Sequence, residues 1–399
     1  MLARLSCLLL ISLLGMGVLA QDAQPLPPCT ERANWTFDIR TRPDRYCVEF
    51  VWQDDRAGEM SFTGLAFAPD GRLFAARPLQ GQVLMLRDTD GDTQPDSPQV
   101  VAEGLDRPNA LLYHADALYI AGRDSIYRLT NDAHIETLAD DLPATTGLWN
   151  GGLTTDGTWL YVGTGASCDT CKDMQPGTIL RLPLEGGSSE EFATGFRQPL
   201  GLLWHDNTLW ATDSARPGAP VSLPALDELN RIEAGANYGY PACLGLARIP
   251  DRTGEAAQSA CDETRAPILG LTTHSQPSAI VLYTGEAFPH LKGKVLMALM
   301  GSTNRSDVPG YGVIAFDFPP PQPPFAIEIV LPYDSSITDG ADIVYEADGI
   351  DPLDIYNLSF LNRRGVGVWP HHLYGLAVSP EGWIYLSVGG GTILSARPR

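Results

Sequence analysis

A short strand–turn–strand unit recurs along this chain, and it constrains the fold more than any other feature. G-L-A-F-A-P-D-G-R-L-F at 64–74 alternates apolar and polar residues around a D-G turn. Related units stand at 110–119 (A-L-L-Y-H-A-D-A-L-Y), 152–161 (G-L-T-T-D-G-T-W-L-Y), 201–210 and 375–385, with a looser copy over 279–299. The period of two marks hairpins with one buried face. A third apolar segment follows most copies, at 83–86, 126–129, 179–182, 313–316 and 393–396. Helical periodicity is nearly absent. Six units at intervals of about 40–75 residues fit radial repetition of four-stranded blades, so the spacing predicts an all-β, six-bladed β-propeller of antiparallel blades.

The ends of the chain and its cysteines place it in a compartment. Residues 1–20 carry Arg4, a long apolar run and small residues toward Ala20. That is the pattern of a secretory signal peptide, with residues 21–399 expected as one propeller domain. No other stretch is apolar enough to cross a bilayer. Removal of the leader takes Cys7 with it and leaves Cys29, Cys47, Cys168, Cys171, Cys243 and Cys261. An even set in an exported chain points to disulfides, and sequence-local pairing (29–47, 168–171, 243–261) is the simplest arrangement. The C-D-T-C at Cys168 admits a redox or metal role, but no second C-x-x-C completes a zinc site and no histidine follows for haem. The formal charge of −21 makes the chain a poor candidate for nucleic acid or anionic membrane surfaces and suits a secreted or periplasmic protein.

Function in a propeller resides in the loops between strands. The densest stretch runs from Arg197 to Cys243, where R-Q-P-L-G opens a hairpin turning at His205-Asp206-Asn207 and D-E-L-N-R-I-E precedes G-A-N-Y-G-Y-P. Glu228 beside turned-in carbonyls of that loop, Tyr238 among them, can hold a hard cation such as Ca²⁺; a plain inter-blade loop closed at Cys243 is the alternative. Asp88, Asp90 and Asp92, with Asp96 nearby, form an oxygen-rich turn that lacks the glycine and final glutamate of an EF-hand. It reads equally as a solvated hairpin. The polar loop G-S-T-N-R-S at 301–306 follows a buried run and is a natural place for ligand-facing side chains, and His274 precedes another buried strand.

These residues together carry a resemblance. D-T-D-G-D, R-Q-P-L-G, D-E-L-N with N-Y-G-Y-P, the Cys-x-x-Cys loop after Tyr161-Val162-Gly163, and G-S-T-N-R resemble the soluble glucose/sorbosone dehydrogenases, six-bladed quinoproteins that bind pyrroloquinoline quinone (PQQ) and Ca²⁺. The resemblance implies a calcium site at Glu228 and the Tyr238 carbonyl. It implies a cofactor site at Arg197, Gln198, Asn304 and Arg305, with His372 and Tyr374 aligned where the glucose enzymes carry arginines. The implied partners are a sugar, aldehyde or polyol substrate and an external electron acceptor.

The chain also departs from that pattern. Gly147-Leu148-Trp149 stands where the family places its basic histidine, and leucine takes no proton. His274 and His372 are the candidate replacements, with His371 beside the latter. Three classes follow: a quinone-dependent dehydrogenase, a calcium-dependent lactonase-type hydrolase built on Asp213, Glu228 and Asn304, and a carbohydrate-binding propeller without catalysis. The missing histidine favours the last over the second.

Overall fold

The computed structural model describes residues 27–35, 41, 45–54, 58, 60–92, 94–130, 134–143, 150–169, 171, 173–218, 226–250, 259, 261–302, 309–332, 343–346, 349–350 and 371–399. Residues 1–20, Leu148, Asn304 and Arg305 lie outside the described residues. Six antiparallel sheets form a ring of six blades. Each blade begins with a strand at the axis: Leu65–Phe67, Ala110–His114, Gly151–Thr155, Leu202–His205, Pro277–Leu282 and Leu373–Val378. The repeat read from the sequence is the first two strands of each blade.

The ring closes by a device the repeat does not reveal. Tyr46–Gln53, from the start of the chain, pairs with Thr392–Pro398 at its end and becomes the outer strand of blade 6. Glu49 of this strand is 2% exposed and accepts hydrogen bonds or ion pairs from Arg32 at 2.9 Å and Arg397 at 3.1 Å. Arg397 also lies over the Trp383 ring, 4.3 Å from its centroid. Cys29–Cys47 ties the preceding segment to the same strand. Blade 5 is widened by a hairpin, Ile343–Glu346 with Gly349–Ile350, whose Tyr345 hydroxyl accepts the Gly270 amide of blade 4.

Blade packing follows from the alternation. One face of each strand meets the next blade, and an apolar cluster fills each of the six junctions, as with Trp210 and Leu229 against Val295, Met297 and Phe316 between blades 4 and 5. Two hairpin turns show the local rule that sets register. Asp206 and Asn207 (φ 49° and 55°), and Ala115 and Asp116 (φ 47° and 62°), occupy two-residue turns with both central residues left-handed. That geometry matches the twist of the flanking strands, and aspartate and asparagine tolerate it best.

Candidate active site on the propeller axis

The first strands and the links that lead into them enclose an axial cavity of about 590 Å³. Glycine and leucine residues line much of it, and most of its charged and ring side chains come from two sides. Asp169, Arg197 and Gln198 stand on the blade 3 and 4 loops; His274, Gln276 and His372 stand on the links into blades 5 and 6, and Tyr374 on the first strand of blade 6. In antiparallel blades the links into first strands share one rim with the loops between second and third strands. The Asp88–Asp92 turn joins third and fourth strands and lies on the opposite rim.

Arg197 is fixed twice. Its amide donates to Asp213 Oδ2 at 2.8 Å and the Gln198 amide donates to Asp213 Oδ1 at 2.6 Å. Its guanidinium, 5% exposed, makes a two-point contact with Asp169: Nε to Oδ1 at 2.7 Å and Nη2 to Oδ2 at 3.0 Å. Burial works to lower the Arg197 pKa, but the Asp169 hydrogen bonds and charge outweigh it and hold the pKa above the ordinary value. A rim arginine with a solvated partner would look different. Asp169 itself sits between Cys168 and Cys171, which are joined as a disulfide.

Asp227 performs for the next link what Asp213 does for the Arg197 loop. Its Oδ1 accepts the Ala215 amide at 2.7 Å, and its Oδ2 accepts the Ser275 hydroxyl at 3.1 Å and the Gln276 amide at 2.6 Å. Sequence reasoning missed Asp227 as the organiser of this link. The signal was partial: an acid in a strand flanked by Leu226 and Leu229 must find donors once buried, and loop amides can supply them. Gln198 and Gln276 line the cavity with side-chain amides that make no hydrogen bond among the described residues.

Glu228 lies behind this wall, not in it. Its Oε1 accepts the Gly245 amide at 3.0 Å and its Oε2 accepts Asn230 Nδ2 at 2.9 Å. Burial, then the neighbouring Asp213 charge, pushes its pKa up to about 8; burial pushes Asp213 and Asp227 up to about 6. Asn230 Oδ1 is buried with no hydrogen-bond partner among the described residues. An orphaned amide oxygen on the same strand face as a buried carboxylate is an all-oxygen donor set, which fits a hard cation. Tyr238 stands on the adjoining loop, its amide donating to the Thr194 carbonyl at 2.9 Å and its hydroxyl to the Arg231 carbonyl at 2.7 Å. Asp213 and Glu228 are absent from the cavity wall, so the axial acid set that a lactonase-type centre needs is not assembled from them.

Asp88, Asp90 and Asp92 bring carboxylate oxygens within 4.8 Å of one another on an exposed turn, where Asp88 Oδ1 accepts the Gly91 amide at 2.7 Å. Disulfides also join Cys243 to Cys261 and Cys29 to Cys47. His274 is 1% exposed, has a left-handed backbone (φ 69°) and lines the cavity. His372 donates from Nδ1 to the Met300 carbonyl at 3.1 Å.

Fold and site together define an axial-cavity β-propeller. Residues 171–308 match the family described as Glucose / Sorbosone dehydrogenase, the family that the D-E-L-N and N-Y-G-Y-P stretch resembles. No curated protein matches the chain. Among solved structures, the calcium structure of a Trichoderma reesei carbohydrate-active enzyme of family AA12 is 15% identical (TM-score 0.68), covering 93% of this chain and 100% of that one. The holo PQQ domain of Coprinopsis cinerea pyranose dehydrogenase is 13% identical (TM-score 0.60; 91% and 97% covered). The apo soluble aldose sugar dehydrogenase of Escherichia coli is 18% identical (TM-score 0.57; 88% and 99% covered). At these identities the likeness is one of fold.

Proposed function

We propose that the protein is an exported, PQQ- and calcium-dependent dehydrogenase that oxidises an aldose, a sorbosone-type aldehyde or a polyol and passes electrons to an external acceptor. The observation that carries this reading is the placement of Arg197, a buried guanidinium in the axial cavity, inside the segment that matches the family. The donor set fits a planar ligand bearing carboxylates and carbonyls. Arg197 offers a forked cation, Gln198 and Gln276 offer amide N–H groups, and Tyr374 and His372 offer flat ring surface.

When bound, the quinone supplies a two-electron acceptor, which no side chain of this cavity provides. The chain's own residues do the rest. Asp213 sets the Arg197–Gln198 backbone, so the guanidinium enters the site preorganised instead of being ordered by the ligand. Asp169 neutralises Arg197 in the absence of a ligand and competes with any incoming carboxylate for it. The Asp227 contacts hold Gln276 opposite. Glu228 and Asn230, with the Tyr238 loop, would hold Ca²⁺ behind the wall and stiffen blade 4.

A second reading is a carbohydrate-binding propeller, favoured by leucine at position 148 and by the Asp169–Arg197 pairing. Dye reduction by protein reconstituted with PQQ and Ca²⁺, tried against aldoses, aldehydes and polyols, separates the two. Turnover with any of them supports the dehydrogenase. A bound-quinone band with no dye reduction from any substrate gives the binding propeller.

A further inference from the structure

We infer that His372 is the group that takes the proton in substrate oxidation, in place of the histidine this chain lacks at position 148; this rests on the dehydrogenase reading above. A carbonyl oxygen only accepts, so the 3.1 Å contact to Met300 places the hydrogen on Nδ1. Nε2 of the neutral ring then carries the lone pair, and no residue among the described ones bonds to it. His372 is part of the cavity wall, beside Gln276 and Tyr374.

The ring is also held still. It stacks on Tyr311 with centroids 5.1 Å apart and planes 21° from parallel, and Tyr374 meets it edge-on at 6.1 Å. Tyr311 is locked in turn by its hydroxyl donating to the Ser302 carbonyl at 2.5 Å. Gly301 makes room for that arrangement: a Cβ there would stand 2.4 Å from the Tyr311 ring, and its φ of 94° also calls for glycine. The G-S of the G-S-T-N-R loop thus builds the shelf on which His372 rests. A base positioned in this way needs no reorganisation when substrate arrives.

The other two candidates lack this combination. His274 is 1% exposed on a strained backbone, and His371 packs against Gly390 and is not part of the cavity wall. In the step assigned here, the substrate hydroxyl proton passes to Nε2 and the ring becomes imidazolium. The carbinol C–H bond breaks with both electrons going, as hydride, to the ortho-quinone oxidant, and the C–O bond becomes a carbonyl. The proton then leaves Nε2 for water.

Diethyl pyrocarbonate, followed by peptide mass mapping, reads the free nitrogen directly in the cofactor-free protein. We expect His372 to be acylated and to be shielded when PQQ and Ca²⁺ are added. In protein reconstituted at saturating PQQ and Ca²⁺, His372→Ala should still show the quinone band, lose about a hundredfold or more in dye reduction, and regain part of it with added imidazole. His372→Gln, whose amide N–H can still meet the Met300 carbonyl, should fold and show the same loss. An unmodified His372, or turnover in either variant within about threefold of wild type, overturns the assignment while leaving the dehydrogenase reading intact. Absence of a quinone band in the wild type removes that reading, and this assignment with it.

Discussion

Asp213 and Glu228 face each other as cross-strand partners in blade 4, both buried, and among the described residues neither has a side-chain ion pair to a base. Asp213 spends both oxygens on loop amides that carry Arg197 and Gln198 into the cavity. Glu228 feels that charge, and its carboxyl pKa is raised first by burial and then by Asp213. This one cross-strand pair therefore ties the Arg197–Gln198 loop to the carboxylate that, under the function proposed, would hold the cation.

Stability should fall as pH rises in calcium-free protein. A raised folded-state pKa means the neutral carboxyl is favoured on folding. The contribution is complete below the unfolded carboxylate range, near pH 4, and is lost as pH passes about 6 for Asp213 and Asp227 and about 8 for Glu228. Thermal unfolding between about pH 5 and pH 8 should show a declining Tm without Ca²⁺ and a flatter profile with it, since bound metal favours the carboxylate. Glu228→Gln should remove the decline between about pH 6 and 8 together with the calcium-dependent gain. A Tm that rises with pH in calcium-free wild type, or an unchanged calcium shift in the mutant, contradicts this.

The ring-closing clasp should be costly to break. Glu49 is shared by Arg32 and Arg397 in a buried setting, so Glu49→Ala strands two guanidinium groups. We expect a loss of about 3–5 kcal/mol by denaturant unfolding. A loss below about 1 kcal/mol would mean that strand pairing alone closes the propeller.

The disulfides should differ in weight. Cys168–Cys171 closes a loop with a sequence separation of 3, and Cys243–Cys261 one of 18. Chain-entropy arguments assign about 2 kcal/mol to the former and about 3 kcal/mol to the latter. Paired serine substitutions, compared by denaturant midpoint, should rank in that order. Free thiols at Cys168 and Cys171 in non-reduced peptide maps would show instead that the pair is not a stable structural bridge.

Blade number and the inner hairpins were legible in the sequence because alternation with D-G or D-N turns has few other solutions. The closing strand was not: Tyr46–Gln53 belongs to no repeat copy, and its partner lies at the far end of the chain. Arg197 could be singled out from R-Q-P-L-G, but its counter-ion could not, since Asp169 reaches it across 28 positions from a disulfide loop. His372 could be aligned with the site; its tautomer and its Tyr311 shelf depend on Met300, 72 positions away, and on the glycine at 301.

An anion-binding cofactor site on the propeller axis would be built on Arg197, and quinone titration of paired variants tests this most directly. A charge-assisted contact is worth about 1.5–3 kcal/mol, so Arg197→Ala should weaken PQQ binding, read by its absorption band with Ca²⁺ present, by about tenfold or more. Asp169→Asn leaves the guanidinium without its competing carboxylate and should tighten binding. Opposite shifts in the two variants are the predicted result; equal affinity in wild type, Arg197→Ala and Asp169→Asn, or no band in any of them, would contradict it.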